Sequence, residues 1–528
     1  MPGKQHMEST RAGLSAATLA VLGTIWGTAC GSPPQPMDVV ETTIAQIQDE
    51  IRSGRTTCRL VVQAHLDRIE AYDEATVNAI TVLNPNALTR ADEIDAAIEA
   101  GEELGPLFCA PLLVKDNFDT HDLPTTGGSI ALMGSLPPDD AFMVRRIREA
   151  DAIVIAKTNM AEWAFSPRQT VSSSYDTTRN AYALDRVPAG SSGGTASGVA
   201  ASFGVAGLGS DTGNSIRGPS SHLALVGIRS TIGLTSRDGV IPLSFDRDIA
   251  GPMARTVWDA ARIFNVVAGY DPADPYTEAG RGRKEADYTL ALDQNGLSGA
   301  RIAVMRDLVD TEDADSAVVR VFEQALADLA GLGAEIVDPL DFDLQAERRR
   351  PNMSCRRFRY DMHVYLESLG EQAPIRDVLE VLETGQYSGY VEGSLRRYEN
   401  MSADTHPADG DPPCPDYLEN EGRQAFLAAL VAAMDAARID AVVYPTWTNP
   451  PAHIDRADEE YRGDNSQVIA PATGMPAITV PMGFTYGRMP AGLQILARPY
   501  DELLLFRLAY AYEQGTHHRG TPEGFPAL

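Results

Sequence analysis

The spacing of apolar and polar positions changes period several times along the chain. Between residues 38 and 71, Val39, Ile44, Ile47 and Ile51, then Leu60, Val61, His65 and Ile69, fall at helical spacing. This predicts two amphipathic helices. A different pattern follows at Leu112, Leu113 and Val114, a short apolar run between Pro111 and Lys115-Asp116-Asn117. It predicts a buried strand that ends in polar groups. Ala152-Ile-Val-Ile-Ala156 predicts a second such strand, again ending at a lysine, Lys157, with a helical stretch over 139–150 between the two. Alternation of strand and helix points to an α/β protein with a substantially parallel sheet.

From Val187 to Gly218 the chain turns to Gly, Ser, Thr and Ala. Side chains this small place backbone against backbone or against a ligand. Residues 314–440 read as largely helical, with an acidic, Pro-containing break at 403–415. The earlier pattern then returns, with strands at Ala441-Val-Val-Tyr444 and Ala477-Ile-Thr-Val480 and a closing helix over 501–514. There is no internal repeat and no linker after residue 37. The expected organisation is a leader and tether over 1–37, then a single domain over 38–528 with a helical insertion at about 314–440.

Charge narrows the partners. Lys+Arg number 44 against 73 Asp+Glu, a net charge of −29. A field of that sign repels nucleic acid and anionic membrane surfaces, so nucleic-acid binding is not expected. At the N-terminus, Lys4 and Arg11 precede an uncharged, mostly small or apolar stretch from Ala12 to Ala29, with Thr28-Ala29-Cys30 resembling a cleavage site. This pattern predicts export to the periplasm, the exterior or the cell envelope. Cys30 is then a candidate lipid acceptor and membrane tether, although Gly27 stands where that motif prefers Leu.

Cys58, Cys109, Cys355 and Cys414 form no CxxC pair and have no metal-ligand spacing. Buried free thiols are expected at Cys58 and Cys109, while Cys355 and Cys414 could pair in an oxidising compartment. The nine histidines include no HExxH pattern, and no metal is expected.

Two Gly/Ser-rich segments remain: Ala189-Gly-Ser-Ser-Gly-Gly-Thr195 and Gly209-Ser-Asp-Thr-Gly-Asn-Ser-Ile-Arg217. Neither contains the lysine of a phosphate loop, and Gly207-Leu-Gly209 lacks the third glycine of a dinucleotide fingerprint. Gly190-Ser191-Ser192-Gly193-Gly194 does match a GxSxG elbow, with Ser192 as the nucleophile of an esterase. That motif needs a preceding strand, and Asp185-Arg-Val-Pro188 reads as a turn.

Taken together, the two segments resemble the amidase signature. Ser191 and Ser215 stand 24 residues apart (215 − 191), as the first serine of the SSGG run and the serine before Ile-Arg do in that family. Cys109-Ala-Pro-Leu-Leu-Val-Lys115-Asp116 is similar to the family's lysine-bearing strand. Further similarities lie at Thr158-Asn-Met-Ala-Glu162, Asp248-Ile-Ala-Gly-Pro252, Tyr444-Pro-Thr446, Gly474-Met-Pro476 and Pro490-Ala-Gly-Leu-Gln494. In this order they span roughly residues 40–515.

The resemblance implies a large mixed, mostly parallel twisted sheet covered by helices on both faces. It also implies an amidase with no cofactor. Ser215 would attack the carbonyl and form an acyl-enzyme, Ser191, after a cis peptide bond, would relay protons, and Lys115 would be the base. A lysine can act so only when neutral, which requires desolvation. Backbone N–H groups of Thr212, Gly213, Asn214 and Ser215 would hold the oxyanion, with Asp211, Arg217 and Ser192 supporting the loop and Ile216 to Val226 covering it.

Three departures stand out. Asn214 replaces the family's usual Gly, and Asn is the residue that best tolerates positive φ in its place. Ala189 replaces Gly, which reads as a milder change. Gly227-Ile-Arg-Ser-Thr231 departs from the family's Gly-Leu-Lys-Pro-Thr without touching the catalytic set. The expected partner is a small amide substrate. Trp163, Phe165 and Trp447 are candidates to line its pocket, at least two of them reading better as core. Assembly as a homodimer stays open, and so does a non-catalytic binding role, which loss of Lys115, Ser191 or Ser215 would have favoured.

Overall fold

The computed structural model describes residues 33–528 apart from Asn352 and Ser354. The leader and Cys30 lie outside the described residues. The strands are β1 (Ile80–Leu83), β2 (Pro111–Lys115), β3 (Ile153–Thr158), β4 (Val171–Ser172), β5 (Asp176–Thr177), β6 (Ala206–Asp211) and β7 (Val226–Arg229). They continue with β8 (Ile249–Ala254), β9 (Arg301–Val304), β10 (Glu335–Val337), β11 (Ala441–Pro445), β12 (Ala477–Thr485) and β13 (Met489–Leu496). Eleven of them form one mixed sheet in the order β1-β3-β2-β6-β8-β7-β12-β13-β11-β9-β10, while β4 and β5 pair separately.

Parallel pairing occurs in two blocks, β3-β2-β6 and β11-β9-β10. The first block positions the site. Because β2 and β6 run parallel, their C-terminal residues Lys115 and Asp211 emerge at the same edge of the sheet. Ligands in α/β proteins bind at such carboxyl ends. Both strands are buried along their whole length, which explains why β2 reads as a continuous apolar run rather than an alternating one.

The small residues of 187–218 have a definite packing role. Helix Gly193–Ala200 lies against β2 and β6 with every residue buried. A Cβ on Gly198 would come within 2.7 Å of Leu113 Cδ1, and one on Gly207 within 2.6 Å of Thr195 Cγ2. Only glycine allows so close an approach of helix to sheet. The same composition hid β6, whose Ala-Gly-Leu-Gly-Ser-Asp sequence has little β propensity.

Helices at Ile44–Arg52, Cys58–Tyr72, Phe142–Glu149 and Glu502–Thr516 match the periodic stretches. Between Ser316 and Ala436 the chain is mainly helical, but it also contains β10, which joins the main sheet beside β9. The helix Phe358–Ser368 and the segments after it form a separate apolar cluster with Trp163, Leu132 and Ile241.

The expectation of free thiols at Cys58 and Cys109 is corrected: the two form a disulfide, with Cα atoms 5.5 Å apart. Helical periodicity puts Cys58 on the buried face but cannot show which residue meets it 51 positions later. Cys355 and Cys414 are also joined, with Cα atoms 5.7 Å apart.

Candidate active site

Lys115 leaves the end of β2 fully buried, and its Nζ lies 2.7 Å from Ser191 Oγ and 2.8 Å from Ser210 Oγ. Neither partner carries a charge. Burial therefore dominates, and it brings the lysine down to about 7 despite the opposing pull of Asp211 and Asp248. Asn117 Nδ2 donates to the same Ser210 Oγ at 3.0 Å, holding it in place. Ser210 and Asn117 carry no motif signal, and sequence reasoning missed both. Ser191 follows a cis peptide bond from Gly190 and is fully buried.

Ser215 lies four residues beyond β6, at the wall of a cavity of about 400 Å³ that Gly213, Asn214, Phe165, Leu243 and Gln467 also line. Its hydroxyl donates to Asn214 Oδ1 at 3.3 Å, and Asn214 Nδ2 in turn donates to the Pro167 carbonyl at 3.1 Å. Among the described residues no hydrogen bond joins Ser215 to Ser191. The N–H groups of Gly213, Asn214 and Ser215 have no acceptor within the described chain. Thr212 anchors the loop through its hydroxyl, which donates to Asp248.

Asp211 and Arg217 are both fully buried, not surface charges. Arg217 Nε reaches Asp211 Oδ2 at 3.1 Å, and its Nη2 donates to the Gly213 carbonyl at 2.7 Å. Arg229 Nη1 donates to Asp211 Oδ1 at 3.0 Å and also to the Asp211 carbonyl. Burial would raise this carboxyl, but the charges of Arg217 and Arg229 outweigh it and hold Asp211 at about 2. Segment 227–231 thus bonds to the supporting Asp211 and, among the described residues, makes no hydrogen bond to Lys115, Ser191 or Ser215. Arg229 stands where the family has Lys, and a guanidinium can give two bonds to the aspartate that carries the loop.

A correction concerns backbone conformation. Positive φ falls at Ala189 (66°), not at Asn214. The replacement of Gly by Asn at 214 is accommodated by side-chain bonding instead. Ser192 Oγ is fully buried and donates to the Ser210 carbonyl at 3.2 Å, with no histidine bonded to it. Of the three aromatics, Phe165 lines the cavity, while Trp163 packs on Phe358 and Trp447 on His222 in the interior.

The described residues gather one set with metal-ligand spacing, His121, Asp122 and Asp140. Arg148 pairs with both of those carboxylates, at 2.6 and 3.2 Å, and offsets one of their two charges.

The family described as Amidase matches residues 60–506. The chain belongs to the amidase family. It is an amidohydrolase that acts on amide C–N bonds by serine chemistry. The structure of a peptide amidase from Stenotrophomonas maltophilia is similar at TM-score 0.77 and 34% identity, covering 92% of this chain and 98% of that one. A glutamyl-tRNA(Gln) amidotransferase subunit from Carboxydothermus hydrogenoformans is 30% identical over 508 residues, covering 92% of this chain and 100% of its own. The same enzyme's subunit from Acidothermus cellulolyticus is 33% identical over 499 residues, covering 91% and 96%.

These relatives correct the expectation of export. A reaction linked to tRNA runs in the cytoplasm, and the matched subunits are translation-related enzymes of that compartment. An apolar leader pattern alone does not outweigh a likeness that runs along the rest of the chain.

Proposed function

We propose that Ser215, Ser191 and Lys115 carry out the hydrolysis, converting a carboxylic amide to acid and amine. The observation that supports this most is the uncharged, buried contact of Lys115 with Ser191. An amine with a pKa near 7 is free to accept a proton at neutral pH. In this reading Ser215 rotates off Asn214 toward Ser191. Ser191 takes the proton of Ser215 as it gives its own to Lys115, and Ser215 Oγ attacks the carbonyl carbon.

The tetrahedral oxyanion takes up the N–H groups of Gly213, Asn214 and Ser215, where each essential donor contributes about 3–4 kcal/mol to the rate. Collapse breaks the C–N bond, and the proton held on Lys115 returns through Ser191 to the departing amine. Water then attacks the acyl-enzyme by the same relay and releases the acid. Asp211, Arg217 and Arg229 keep the donor loop in shape, and residues 38–528 act as one catalytic unit.

Mass spectrometry tests the assignment. Incubation with a slowly deacylated activated ester is expected to add one acyl group to the peptide holding Ser215, and Ser215→Ala is expected to abolish both adduct and turnover. An adduct on Ser192, or full turnover by Ser215→Ala, would overturn it.

A further inference from the structure

Arg247 is the unexplained residue of the cavity wall. Among the described residues its guanidinium makes no hydrogen bond and no ion pair, and its Nε is shut off from solvent without a partner. Its two neighbours in sequence favour its charge from a distance, but neither bonds to it. Asp246 is bonded to Arg423 at 2.8 Å, and Asp248 accepts from the N–H groups of Leu243 and Ser244 at 2.8 and 2.9 Å as well as from Thr212. A guanidinium withdrawn from water and left unpaired is costly, whereas one facing a carboxylate forms a bidentate, charge-assisted pair.

The surroundings point the same way. Arg247 lines the cavity that holds Ser215, and it also lines an adjoining space of about 440 Å³, with Gln467 on the shared wall. Arg357 and Arg397 line the first space and Arg348 the second. The carboxylate in these walls is Asp464, already held by Ser466 Oγ at 2.5 Å, Gln467 Nε2 at 3.0 Å and Tyr461 OH at 3.1 Å. Arg357 is committed to Asp361 and Asp416 and Arg348 is exposed, whereas half-buried Arg247 has no hydrogen bond or ion pair through its guanidinium among the described residues. A chain of net charge −29 has thus collected arginines around its nucleophile.

We infer that Arg247 anchors a carboxylate on the substrate, so that the preferred amides are anionic and carry that group a few bonds from the scissile carbonyl. This rests on the proposed role of Ser215 for where the scissile bond sits. Arg397, exposed and bonded through Nη2 to Ser394 Oγ at 2.8 Å, lies at the same wall and adds to the positive field.

Two substrate pairs test the idea and separate its two sources. Succinanilate against butyranilide places the carboxylate on the acyl side, and N-acetylglycine against N-propylacetamide places it on the amine side. The wild-type protein is expected to favour the anionic member of one pair in kcat/KM by about ten- to hundredfold, the range of a charge-assisted pair. Arg247→Gln is expected to bring that ratio close to one, and Arg247→Lys to keep part of it. Arg396→Gln, an exposed change away from the cavity, should leave the ratio as it was. A wild-type preference for the neutral members, or a ratio that survives Arg247→Gln, would overturn the inference.

Calorimetry with glutarate gives a reading that needs no turnover. Saturable binding by the wild-type chain that disappears in Arg247→Gln supports the subsite even if no amide is cleaved, in which case the catalytic assignment fails alone. Turnover of butyranilide without glutarate binding or anionic preference leaves the catalytic assignment standing and removes the subsite.

Discussion

Lys115, the last residue of β2, and Lys157, the last but one of the adjacent parallel β3, are both completely buried, and they have different surroundings. Lys157 Nζ is wrapped by the carbonyls of Phe118 and Pro124 at 2.8 and 3.1 Å and the hydroxyls of Thr125 and Thr120 at 2.7 and 3.2 Å, with Asp116 at 3.6 Å. Lys115 meets two serine hydroxyls and, at 3.5 Å, one carbonyl. Burial lowers both lysines, but Asp116 and Asp119 pull Lys157 back toward its charged form. Placement at a strand end does not make a lysine a base. What matters is a shell with hydroxyls to exchange protons and no carboxylate to fix the charge.

Exchanging each lysine for methionine is the most severe way to break this comparison. Lys115→Met is expected to lower kcat by about 10³- to 10⁴-fold, the upper range for a general base, while the melting temperature changes little. Lys157→Met should do the reverse. It leaves Asp116 buried without its cation, so stability should fall by about 3–5 kcal/mol in denaturant titration while the folded fraction keeps its turnover. If both variants lose activity equally at equal stability, the two lysines are not distinct.

The pH dependence sharpens the same contrast. Protonated Lys115 cannot accept a proton, so kcat/KM should rise about tenfold per pH unit below 7 and level off above it. Asp211 should shape stability at the acid end. Its folded value of about 2 lies below the ordinary 3.8, so its contribution is whole above about 4 and is lost as pH falls through 2. That contribution is roughly 2 kcal/mol, and Asp211→Asn should flatten this part of the stability profile.

The smallest effect is expected at Ala189. Glycine there would relieve the left-handed backbone but loosen the unfolded chain, so stability should move by no more than about 1 kcal/mol.

The contact of Lys115 with Ser191 was legible through the resemblance to a family motif, which the interval from Ser191 to Ser215 and the lysine after Leu112-Leu113-Val114 carry. The flanking elements were legible where periodicity was strong, as at Ile44–Arg52 and Glu502–Thr516. Strand β6 was not, since Ala-Gly-Leu-Gly-Ser-Asp is chosen for close packing against helix 193–200 rather than for strand propensity. Ser210, Asn117, Arg229 and Arg247 were invisible for a different reason. Each acts through a contact made by the tertiary fold, and nothing in the local sequence marks a serine or arginine that will face Lys115, Asp211 or the cavity. The Cys58–Cys109 pairing belongs to the same class.

The chain has only four lysines, Lys4, Lys115, Lys157 and Lys284, which makes the central claim directly measurable. With lysine labelled by ¹³C at Cε, four side-chain signals titrate in one NMR series, and the Lys115 signal is identified by its loss in Lys115→Arg. The neutral-base mechanism predicts that this signal titrates near pH 7. A Lys115 signal that stays protonated beyond about pH 9, closer to the ordinary lysine range, would contradict the neutral-base mechanism.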